Sequence, residues 1–137
     1  MQSIYERCCG IDIHKKLIVA CLLNGKKTEI REFDTKTCDL KELVQWLIDN
    51  KCQMVAMEST GVYWKPVYNI LELADIPAMV VNAHHIKSVP GRKTDVNDAQ
   101  WIAQLTRHGL LRASYIPDKE QRELRDVVIL NCNHNAT

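Results

Sequence analysis

The sequence predicts an α/β fold, a mixed five-stranded sheet with helices on both faces, and three observations carry that prediction. Three strand-like stretches, CCGIDIH, KLIVACLLN and KKTEIREFD, follow one another almost without interruption, the first two apolar and rich in β-branched residues. After them, segments with helical periodicity alternate with short apolar runs. Finally, 137 residues with 46% hydrophobic and 26% charged content suit one soluble domain with a real core, and are too few for two ordinary domains.

Each element follows from local chemistry. Asn24-Gly25 supplies a turn between the second and third stretches, so an antiparallel meander is expected. Asp39 reads as a helix N-cap, because Leu40, Leu43, Val44, Leu47 and Ile48 then recur at helical spacing until Asn50. QMVAME is the fourth strand, and residues 63–74 form the second helix, started by Ser59-Thr60. IPAMVVNA is the fifth strand, and a third helix begins at Asp95 with Thr94 as its cap. His84-His85 is assigned to a polar loop, and Arg107-His108 to a helix end before Gly109. A meander followed by helix, strand, helix, strand, helix is the element order of the ribonuclease H-like fold.

Composition excludes several classes. The N-terminus MQSIYERCCG carries acid and has no apolar signal core, and no apolar run of membrane-spanning length exists, so a cytoplasmic protein with no membrane partner is expected. Of the six cysteines, no two form a C-x-x-C pair. The thiols are therefore expected to stay reduced, with Cys8, Cys9 and Cys21 as small apolar strand residues and no structural zinc.

The acids carry the functional reading. Asp12 lies between Ile11 and Ile13 in the first strand, on the opposite face from both, and Glu58 ends the fourth strand. If those strands are neighbours, both carboxylates reach the same sheet end, where open α/β sheets collect their ligands. On a helical wheel begun at Asp95, both Asp95 and Asp98 fall on or beside the apolar arc of Val96, Ala99, Ile102 and Ala103. A cap and a first-turn acid complementing the helix dipole is the plainer reading of that pair, but it leaves two charges on an apolar face unexplained. Four converging carboxylates repel one another unless a cation neutralises them. Hard oxygen ligands suit Mg²⁺ or Mn²⁺, and two such ions about 4 Å apart catalyse phosphodiester displacement. Between residues 83 and 112 five Lys or Arg stand against the two aspartates. Lys15, Arg92 and Lys93 are thus candidate contacts to nucleic-acid phosphates, with Thr94 beside them. His14, two residues after Asp12, shares its strand face and reads either as a catalytic or DNA-contacting group or as a hydrogen-bonded structural histidine. Trp64, Val67, Tyr68 and Leu71 suit a core face better than base stacking.

The blocks GIDIHKK, MESTGVYW, VVNA and GRKTDVNDAQWIAQLTRHGLLRASYIP, with EQRELRD after them, resemble the N-terminal domain of the DEDD transposases of the IS one-ten (IS110) insertion-sequence family. That family is similar in fold to the Holliday-junction resolvase RuvC. The resemblance implies a catalytic and metal-binding tetrad at Asp12, Glu58, Asp95 and Asp98, and DNA cleavage and strand transfer with Mg²⁺ or Mn²⁺. It also implies a structured non-coding guide RNA, a homo-oligomer in the full-length protein, and a bacterial or archaeal, nucleoid-associated location. Residues 1–117 correspond to the nuclease domain, and residues 118–137 to the start of a linker helix and a divergent tail. Family members continue into a second domain with a serine nucleophile; here ELRDV passes into VILNCNHNAT, so that domain is expected to be missing through a frameshift or premature stop. Ser59 is a cap or turn residue and no substitute for it. A non-catalytic nucleic-acid-binding remnant, or an inhibitor of a full-length transposase, is the rival reading. A half of an actin-like sugar kinase or ATPase is a weaker one, since His14-Lys15-Lys16 stands where a glycine-rich phosphate loop belongs.

Overall fold

The computed structural model describes residues 3–58 and 61–114. Three strands open the chain: β1 (Arg7–His14), β2 (Leu17–Asn24) and β3 (Lys27–Asp34). They form the expected antiparallel meander because both connections are two residues long. His14 pairs with Leu17, and Asn24 with Lys27. The first loop residue has positive φ in each hairpin, Lys15 at 55° and Gly25 at 61°. Glycine adopts that conformation freely; at Lys15 it costs about 1 kcal/mol.

The meander is followed by α1 (Thr37–Asp49), β4 (Met54–Glu58), α2 (Trp64–Leu73), β5 (Ala78–Val81), α3 (Ala83–Ser88) and α4 (Asp98–Arg107). Strand order is β3-β2-β1-β4-β5. β4 pairs in parallel with β1 and with β5, so the sheet is antiparallel at one side and parallel at the other. The expected ribonuclease H-like, mixed α/β architecture is the one observed.

Strand alternation divides the interior between two faces. Cys9, Ile11 and Ile13 of β1 and Val55 and Met57 of β4 pack beneath α1 and α2, which contribute Leu40, Leu43, Trp46 and Leu47, and Trp64, Val67 and Leu71. On the opposite face Ala56, with Val81, packs against Trp101, Ile102 and Leu105 of α4 and Ile86 of α3, while Cys8 and Cys21 meet Ala99 and Ala103. Helix α4 lies directly on β1 because that strand carries glycine at the crossing. A Cβ added at Gly10 would stand 2.3 Å from the Ala103 amide nitrogen and 2.4 Å from the Ala99 carbonyl oxygen. The other end of α4 is tied down by Arg107, whose guanidinium donates to the carbonyls of Tyr5 (3.3 Å), Glu6 (2.8 Å) and Gly25 (2.9 Å). Edge strand β3 is mostly exposed and charged, which discourages pairing with other chains.

Several boundaries differ from expectation. Helix α1 starts at Thr37 after Lys36, and Asp39 is not its cap: its carboxylate instead accepts the Asp34 amide at 2.9 Å, closing the turn from β3. His84 and His85 lie in the short helix α3, not in a loop; the Asn82 side chain caps it by accepting the His84 amide at 2.8 Å. Six residues are too few to show a repeating apolar face, so periodicity missed it. Helix α4 begins at Asp98, not Asp95, and its cap is Asn97, not Thr94: the Asn97 side chain accepts the Gln100 amide at 2.8 Å. Cys8, Cys9, Cys21 and Cys52 are free thiols, and burial pushes Cys8 and Cys21 up to about 11, so neither is a thiolate at neutral pH. Cys38 departs from the expectation of reduced thiols, being disulfide-bonded. The readings placed on Ser59, Thr60, EQRELRD and the 118–137 segment lie outside the described residues.

Candidate metal centre

Three elements far apart in sequence converge at one end of the sheet. The parallel ladder between β1 and β4 runs from Cys8 with Met54 to Ile11 with Met57. One step further along the same register stand Asp12 and Glu58, at the carboxyl ends of neighbouring strands and on the face that α4 covers. Asp98 is the first residue of α4, two residues along β1 from Gly10 being enough to bring Asp12 under the helix start. The small side chains at the crossing therefore determine how close the two aspartates come.

Asp12 is the buried member, only 5% exposed. Its Oδ2 lies 2.8 Å from His14 Nε2, and its Oδ1 is buried without a hydrogen-bond partner among the described residues. Burial raises the Asp12 carboxyl above its ordinary range; His14 opposes the rise, and the negative charges of Asp98 and Glu58 add to it. One ligand atom each from Asp12, His14 and Asp98 fall within 4.8 Å of one another. Glu58 is half-buried at the end of β4 and near enough for its charge to act on Asp12.

The fourth acid is placed differently. Asp95 is exposed in the turn before α4 and lies outside the cluster, so the expectation that both aspartates face inward is corrected. The wheel assumed a helix from Asp95 onward; the turn closed by the Val96 amide on the Lys93 carbonyl (3.2 Å) removes Asp95 from the helical phase. Asp98 itself keeps half of its side chain exposed. Arg92 is not a free phosphate contact in this structure. Its Nη2 pairs with Asp98 Oδ1 at 2.8 Å, and Nε and Nη2 both donate to the Val96 carbonyl, at 3.1 and 2.7 Å. Lys15, Lys93 and Thr94 are exposed, Lys15 at the hairpin that follows His14.

The donor set fits a divalent cation. A buried carboxylate oxygen with no donor is costly, and the charges of Asp98 and Glu58 raise that cost, whereas a doubly charged ion among Asp12, His14 and Asp98 would offset it; Glu58 lies outside that group of three. The partial substitute present is Arg92 on Asp98.

A family profile of DEDD transposases of the IS110 type, described as Transposase, matches residues 9–131. The chain belongs to the IS110 DEDD transposase family. No curated protein matches it. A transposase acts on DNA, and the acidic cluster of this IS110 transposase chain lies within the matched span. Among its described residues no helix is long and apolar enough to cross a membrane. Inspection of the sequence missed Gly10 and Asn97, which position Asp98. A glycine in the middle of an otherwise β-branched strand was the available signal for the first, since it marks close approach of another backbone. The second was obscured by the rival cap at Thr94.

Proposed function

We propose that Asp12, Glu58, Asp95 and Asp98 hold Mg²⁺ or Mn²⁺, and that the chain is the catalytic domain for cleavage and transfer of DNA strands in transposition. The observation that carries this reading is the orphaned, buried Oδ1 of Asp12 where β1, β4 and the start of α4 converge. Bound there, a divalent cation would polarise the scissile phosphodiester and help an attacking hydroxyl lose its proton.

The chain's own groups do the rest. Asp12 is held by the strand, Glu58 by the adjoining strand end, and Asp98 by a helix start that Gly10 brings close. Asp95 joins the set only if the exposed turn before α4 moves, so it is the weakest contributor of the four. Lys15, Arg92, Lys93 and Thr94 face the backbone phosphates of the substrate in this reading, Arg92 after leaving Asp98. The structured guide RNA, the homo-oligomer and the division into a nuclease domain at 1–117 and a linker start at 118–137 belong to the same proposal, and rest on the family resemblance.

The test is nicking of supercoiled plasmid by the purified chain with Mg²⁺ or Mn²⁺. Cleavage that needs metal and falls at least a hundredfold in Asp12→Asn is expected, in keeping with the loss of a charged group from a catalytic site. DNA binding with no cutting at any metal concentration would sink the catalytic reading and favour the non-catalytic one.

A further inference from the structure

We infer that His14 is itself a metal ligand through Nε2, which makes this a mixed nitrogen and oxygen site that takes Mn²⁺ in preference to Mg²⁺. The inference rests on the metal-site reading above and goes beyond the four carboxylates. Asp12 and His14 are two residues apart on one strand, so both side chains leave the same face. His14 Nε2 is 2.8 Å from Asp12 Oδ2, and a ring nitrogen of His14 lies within 4.8 Å of an Asp98 carboxylate oxygen. Ligands about 2.1 Å from one ion lie about 3 Å apart when adjacent and about 4.2 Å when opposite. The separations among Asp12, His14 and Asp98 are therefore close to those of a coordination shell, with the Asp12–His14 pair opening slightly and Asp98 closing in.

A second observation points the same way. Asp12 is more than nine-tenths buried, and its Oδ1, the oxygen that His14 does not reach, has no donor among the described residues, which leaves it open to a cation that His14 would share. His14 sits at the last position of β1, immediately before the strained Lys15, and 64% of its side chain is exposed. An imidazole there reaches the cluster while its other ring nitrogen stays accessible to water. Mg²⁺ favours an all-oxygen octahedron and sheds water reluctantly; imidazole raises affinity for the transition metals that follow it.

The competing role is positioning, in which Nε2–H donates to Asp12 and never touches metal. Glutamine separates the two, because its amide N–H can replace that donor but supplies no ligating nitrogen. The experiment is pulsed electron paramagnetic resonance on the full chain loaded with Mn²⁺, with affinities for Mn²⁺ and Mg²⁺ measured alongside. A nitrogen hyperfine coupling in the wild type is expected, lost in His14→Gln, with Mn²⁺ affinity falling about tenfold and Mg²⁺ affinity changing less. Bound Mn²⁺ without nitrogen coupling in the wild type, or a coupling that survives in His14→Gln, overturns the assignment of His14 and leaves the carboxylate site standing. A folded wild-type chain that binds no Mn²⁺ overturns the metal site itself, and this inference with it.

Discussion

Asp12 concentrates the cost and the purpose of the site in one side chain. Its burial and its acidic neighbours raise its carboxyl above the ordinary 3.8, so the folded, metal-free chain holds that proton more tightly than the unfolded one. The contribution is complete below the unfolded value and is lost as pH rises through the folded value. Metal-free stability measured by denaturant titration should accordingly decline as pH rises above 3.8 and through the raised folded value, and added Mn²⁺ should offset the decline. Asp12→Asn should remove this dependence and stabilise the metal-free chain at neutral pH by about 0.5–2 kcal/mol, as substitutions at strained functional sites commonly do. A clear drop in melting temperature for that variant without metal would mean the carboxylate is structural. That Asp12 faces away from Ile11 and Ile13 was legible from strand alternation alone, because period two leaves no freedom once the strand is assigned. The placement of Asp95 was not, since a helical wheel carries an error of phase whenever the helix starts three residues late.

At the scale of elements, helix α4 is the part whose position matters most. Its distance from β1 is determined at Gly10, where any Cβ meets helix backbone. Gly10→Ala should destabilise the chain by about 3 kcal/mol in denaturant unfolding, since neither strand nor helix backbone can yield cheaply. It should weaken metal binding as well by moving Asp98 away from Asp12. At the start of the same helix, Asn97→Ala should cost about 1 kcal/mol through loss of the cap, lowering the melting temperature by about 3 °C. An unchanged melting temperature would show that the cap contributes nothing net. Strands and long helices were recognisable because each shows two or more repeats of its period. Short α3 and the caps at Asn97 and Asn82 were not, because several Asn, Asp and Thr residues compete for each cap and tertiary contacts decide among them.

Over the whole molecule, the strand order does the work that makes distant acids neighbours. Placing β4 in parallel beside β1 was anticipated by crossover rules, and it is what sets Glu58 next to Asp12. The charge distribution adds a condition on partners: Lys15 follows the strand that bears Asp12, and Arg92 and Lys93 precede the helix that bears Asp98, while the chain as a whole carries a formal charge of only +1. DNA binding should therefore be local and salt-sensitive. Replacing Lys15 or Lys93 with Gln should weaken binding uniformly across sequences and flatten the salt dependence by about one unit of logarithmic slope each. A slope unchanged by both substitutions would place the DNA elsewhere.

The central claim is that carboxylates from β1 and from the start of α4 form one metal site. Calorimetric titration of Mn²⁺ into the wild type, Asp12→Asn and Asp98→Asn, each shown folded by circular dichroism, tests it most directly. Saturable binding by the wild type that disappears in both variants is the result expected. Binding that survives either substitution, or none by the folded wild type, would contradict it.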